Sequence, residues 1–146
     1  MLGKKTFAAA LLVAIVLAPA LAGAGSADDA RIGFTSGSVR ETFQPTSDGG
    51  IEDAVAINPN KAEVKRLQAQ SRKRAAAFAR GDFVDPTNPH GDLVPGLREM
   101  RRQWNKMHVR YEDLSNGARI RYTTSDPVMV EALHQWFVAR AVNKVR

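Results

Sequence analysis

Apolar and polar residues change their spacing several times along this chain, and each change marks an element. From Ser38 to Phe43 the residues Val39, Glu41 and Phe43 fall on one side of an extended segment, with Arg40 and Thr42 on the other. Even spacing resumes at Ile51, Val55 and Ile57, after the turn-forming Asp48-Gly49-Gly50, which predicts a hairpin. Beyond Asn58-Pro59 the period lengthens to three and four, through Val64, Leu67, Ser71, Ala75 and Phe78. With Asn60 and Glu63 placed as a capping box, this predicts a helix over about 59–80. Its outer face is expected to carry Lys61, Lys65, Arg66, Arg72, Lys73 and Arg74.

Gly81 to Gly96 holds three prolines and three glycines and breaks all periodicity, which predicts a loop longer than an ordinary connection. Leu97, Met100, Trp104 and Met107 then form the apolar stripe of a short helix. Val109 and Tyr111 alternate up to Ser115-Asn116-Gly117, and Ile120 and Tyr122 alternate after it, the signature of a second hairpin. Asp126 and Pro127 supply an N-cap and a first helical residue for a last helix with Val130, Leu133, Phe137 and Ala141 on its buried face.

The order strand, turn, strand, capped Pro, helix occurs twice, from Val39 to Gln68 and again from Val109 to His134. The expected fold class is therefore α+β: a ββα-ββα pseudo-duplicated domain over 38–146, with a four-stranded antiparallel sheet and two main helices on one face.

Ahead of it, Lys4 and Lys5 precede an unbroken apolar run from Phe7 to Ala18, and Pro19 and small residues follow up to Ala27. This is the layout of a secretory signal peptide over 1–27, leaving residues 28–37 as a flexible lead-in. The run is shorter than the ~20 residues a membrane-spanning helix needs. The expected location is periplasmic or secreted, with the membrane met only through the removed signal. No cysteine is present, so neither a disulfide nor a lipidated Cys enters. Removing Lys4 and Lys5 from the 21 basic residues leaves 19 against 15 acidic ones, a net charge near +4. In an exported chain this mild excess points to anionic envelope material, and no nucleic acid is expected.

The histidines are His90 in the loop, His108 at a strand start and His134 on the last helix. His134 falls at the edge of the predicted buried face, from which it could reach the His90 loop. Asp82 and Asp92 are the carboxylates placed to pair with it as acid and base. His90, His108 and His134, with Met100, Met107 or Met129, form a candidate copper or zinc set, since imidazole and thioether suit such metals. Core packing is the commoner use of those methionines. Trp104, beside Arg101 and Arg102, suits an anionic lipid or polymer surface; the alternative places it in the core. No Gly-x-Ser-x-Gly elbow, phosphate loop or His-Glu-x-x-His helix occurs.

Ala79-Arg80-Gly81-Asp82-Phe83, Pro89-His90-Gly91-Asp92, Pro95-Gly96-Leu97 and Thr124-Ser125-Asp126-Pro127, with Val130, Leu133, His134, Trp136 and Phe137, together resemble a small family of exported bacterial proteins of unassigned function. Some of that family carry a carbamoyltransferase label. The chain departs from the family pattern at Val94, where the family has Met, and after Asn143, where the family has Asp-His-Gly. A carbamoyltransferase would need two domains and a Ser-Thr-Arg phosphate motif, which this chain lacks.

Three functions follow as expectations. The first is an exported binding or structural protein that holds a ligand, a metal or an envelope partner through the His90 loop and His134. The second is a small enzyme using His134 with a loop aspartate. The third is a basic adaptor for anionic envelope polymers.

Overall fold

The computed structural model describes residues 32–83 and 93–143. The expected signal peptide, His90 and Asp92 lie outside the described residues. The elements are β1 (Ile32–Ser36), β2 (Val39–Thr46), β3 (Gly49–Ala56), α1 (Lys61–Phe78), α2 (Leu97–Arg102), a single 3₁₀ turn (Trp104–Lys106), β4 (His108–Leu114), β5 (Gly117–Thr123) and α3 (Pro127–Asn143). The five strands form one antiparallel sheet in the order β1-β2-β3-β5-β4. The α+β class and the two hairpin-helix units are as the sequence predicts. β1 corrects the expectation for 28–37: part of that segment pairs along β2, from Ile32 opposite Phe43 to Ser36 opposite Val39.

Both long helices lie on one face of the sheet, but each covers the other unit's strands. α1 leaves β3 and packs over β5, β4 and β3, whereas α3 leaves β5 and packs over β2, β3 and β1. Between them lie Phe43, Phe78, Ile120, Tyr122, Met129, Leu133, Trp136 and Phe137, all buried. Rings meet edge-on at Phe78–Trp136, Tyr122–Trp136 and Tyr122–Phe137, with centroids 5.7, 5.9 and 5.9 Å apart. No described helix is long and apolar enough to cross a membrane.

β3 faces the helices with the opposite set from the one its hydrophobicity suggests. Gly50, Glu52, Ala54 and Ala56 are buried, while Ile51 and Val55 sit half-buried on the uncovered face. Small residues let both helices approach the central strand, and that close approach decides the side. A short ladder of ion pairs crosses the open face: Arg119 grips both oxygens of Asp53 at 2.7 and 2.9 Å, and Arg121 both oxygens of Asp48 at 3.2 and 2.9 Å.

Under the helices, Glu52 is only 1% exposed. It accepts from the Tyr122 hydroxyl at 2.7 Å through Oε2, and its Oε1 lies 2.6 Å from Arg74 Nη2, a close charge contact outside good hydrogen-bond alignment. Arg140, from α3, reaches Glu41 at 3.4 Å and Glu52 at 3.9 Å, and lies over the rings of Phe43 and Trp136. Arg74 also stands 3.9 Å from Glu41. Two carboxylates and two guanidinium groups thus cancel where α1, α3 and three strands converge. Arg74, expected on the outer face, is half-buried and turned toward Glu52.

Burial, and then the charge of Glu52, hold the Tyr122 phenol well above its ordinary range. The unfolded chain releases this proton near pH 10 while the native chain keeps it, so the stability linked to it is complete below about pH 10 and falls as pH rises beyond. Tyr122→Phe should remove this alkaline component and lower unfolding free energy by roughly 1.5–3 kcal/mol. Glu52→Gln should cost roughly 3–5 kcal/mol by leaving the buried Arg140 and the half-buried Arg74 undercompensated. Urea unfolding between pH 7 and 11 reads both.

Candidate functional site

α1 begins at a side-chain cap, Asn60 Oδ1 accepting from the Glu63 amide at 2.9 Å. It ends in a Schellman turn: the Gly81 amide bonds to Phe78 O and the Asp82 amide to Ala77 O, both at 3.0 Å. Gly81 takes φ +80°, and a Cβ there would stand 2.6 Å from Trp104 Cγ, so the indole lies against bare backbone. The Ala79-to-Phe83 motif is therefore a helix stop, with Phe83 buried against Phe78 at 4.9 Å.

Between its ends α1 presents Lys61, Lys65, Arg66, Arg72 and Lys73 to solvent, and Arg80 follows in the closing turn. Glu63 is the helix's single acid, and it is engaged with the Ser38 hydroxyl and at 3.9 Å with Arg66. Arg72 meets Asp113 at 3.2 Å. Lys61, Lys65, Lys73 and Arg80 make no ion pair among the described residues. Arg74, Arg119, Arg121, Arg140 and Lys106 are matched at close range, whereas Arg40, Arg98 and Arg110, exposed on β2, α2 and β4, also make no ion pair among the described residues. Ala62, Ala69 and Ala76 form the ridge between the basic rows, exposed and small.

Trp104 was assigned by periodicity to the buried stripe of a helix running through Met107. The helix instead ends at Arg102, because Gln103 takes φ −125°, ψ 28°. Leu97, Met100 and Met107 stay in the core, while Trp104 is turned out and is 40% exposed. Gly81, just past α1, lies against the Trp104 ring.

His134 sits half-buried on α3, its Nε2 3.1 Å from Thr46 O and 2.8 Å from Gly49 O. Carbonyls only accept, so Nε2 carries the proton and ties α3 to the β2–β3 turn. Among the described residues no carboxylate reaches this imidazole. Asp82 lies at the end of α1, outside the His134 contacts. His108 is exposed on β4, on the side opposite the core-packed Val109 and Tyr111, so the sheet separates it from His134. No group of three or more His, Cys, Asp or Glu gathers among the described residues to hold a metal. Met100, Met107 and Met129 are all core residues.

The other motif residues also hold the fold. Gly96, at φ +78°, passes so close to α3 that a Cβ would stand 1.8 Å from Ala132 O. Thr124 Oγ1 accepts from the Asp126 amide at 3.1 Å, and Asp126 Oδ1 caps Val128 at 2.9 Å. The Lys106 ammonium at 2.7 Å and that cap hold the Asp126 carboxyl below its usual range. The outer side of α3 is mixed, with Val128, Val138 and Val142 exposed around Glu131 and Gln135 and beside Pro95, along open grooves of about 630 and 510 Å³.

His134→Ala should cost about 1–2 kcal/mol through loss of the turn contacts, read as a lowered denaturation midpoint. Comparison with family models, curated proteins and solved structures finds no match to this chain.

Proposed function

We propose that the protein is an exported, non-enzymatic binding module that docks on an anionic polymer of the cell envelope through the exposed face of α1. The observation that carries this reading is the clustering of Lys61, Lys65, Lys73 and Arg80, on α1 and its closing turn, as exposed cations that make no ion pair among the described residues, while Arg74 on the sheet side of the same helix is closely matched. Unpaired cations repel one another and favour a polyanion that neutralises them together. Arg66 and Lys73 are seven residues apart, which at 1.5 Å per residue sets them about 10 Å apart along the helix, and Arg80 follows seven residues on in the closing turn. An extended chain of negative groups fits such a row.

The same face argues against insertion into lipid. Its ridge is alanine, and interfacial helices need Leu, Phe or Trp on the buried side. The signal-like residues 1–27 support export, and an exported chain meets envelope polyanions first.

Replacing Lys61, Lys65, Lys73 and Arg80 together by Gln should leave the melting transition in place and weaken binding to a soluble polyanion such as polygalacturonate at least tenfold. Wild-type affinity should fall steeply between roughly 50 and 500 mM salt, as screening of exposed charges requires. An affinity unchanged by the quadruple variant and by salt would overturn the reading. The secreted protein should begin at Asp28 on N-terminal sequencing; retention of residues 1–27 would remove the export part of the proposal.

A further inference from the structure

Trp104 is 40% exposed, whereas Phe43, Phe78, Phe83, Tyr122, Trp136 and Phe137 lie in the core and Tyr111 is half-buried beneath Arg72. A tryptophan buries more area than any other side chain, so leaving one partly in water has a cost that packing alone does not explain. Its placement is specific. Three atoms of the indole, Cγ, Cδ1 and Cδ2, would stand 2.6, 2.7 and 2.9 Å from a Cβ at Gly81. The ring therefore lies face-on against the glycine, with 40% of the residue left exposed. Arg80, the last cation of the α1 row, precedes that glycine directly, and Arg101 and Arg102 close the helix before the indole.

We infer that Trp104 is a sugar-stacking platform at the end of the cationic row, and that the ligand is an acidic glycan. The inference rests on the polyanion reading of α1 and narrows its ligand class. A pyranose ring presents one face of C–H bonds, which suits the electron-rich face of an indole, and carries its hydroxyl and carboxylate groups around the rim. Stacked on Trp104, such a ring directs its rim toward Arg80, while successive acidic sugars follow Lys73 and Arg66 along the helix. A polyanion without rings gains the charges and nothing from the indole.

The test compares wild type, Trp104→Ala and Trp104→Phe on polygalacturonate and on inorganic polyphosphate, which matches it in charge but has no sugar. Trp104→Ala should lose about tenfold affinity for polygalacturonate and less than twofold for polyphosphate, with Trp104→Phe between. Emission from Trp104 should shift with polygalacturonate alone, since Trp136 is buried and serves as an internal constant. Equal losses on both polymers, or no loss on either, would overturn the platform while leaving the cationic row intact. Wild-type binding to polyphosphate but not polygalacturonate would also overturn it. Binding to neither polymer would overturn the polyanion reading itself.

Discussion

Neutralisation of Glu52 is the constraint on which the rest of the structure depends. A carboxylate under two helices is tolerable only if opposite charge and donors surround it, and the surrounding groups come from β5, α1 and α3. Each partner fixes one element: Tyr122 the neighbouring strand, Arg74 the rotation of α1, Arg140 the rotation of α3. Apolar packing brings these layers together, but it has little direction of its own, whereas the ion network admits few arrangements.

The rotation of α1 has an outward effect. With Arg74 directed inward to Glu52 and Leu67, Ser71, Ala75 and Phe78 on the sheet, Lys61, Lys65, Arg66, Arg72 and Lys73 are left on the solvent side. The proposed binding surface and the buried cluster are thus two sides of one helix, set by a single angle. The Schellman turn at Gly81 then ends the helix where the indole of Trp104 can lie on it.

Hairpins, both long helices and their caps were legible in the sequence, because Asn60, Asp126 and Pro127 act locally and alternation from Val109 to Tyr122 is strict. Which way β3 and α3 faced was less so. In β3, Ile51 and Val55 are the more apolar set, yet helix approach favours Gly50, Ala54 and Ala56. α3 is apolar nearly all round, so Met129 and Trp136 pack inward while Val128, Val138 and Val142 face out, a choice no period could express. Trp104 fell to a one-residue break at Gln103 that leaves no hydrophobic mark. Among the candidate site residues, His134 and the Thr124-to-Pro127 motif turned out to serve backbone contacts, and the basic run of α1 was visible from the start.

The crossing of the helices bears on how the chain acquires its structure. Since α1 covers the second hairpin and α3 the first, neither half can complete a core from its own residues. Long-range contacts must form together, which raises contact order and slows folding relative to two units that close in turn. A polypeptide emerging from synthesis stays open until its last helix is present, so a chain stopped short of α3 leaves the first hairpin's apolar face uncovered.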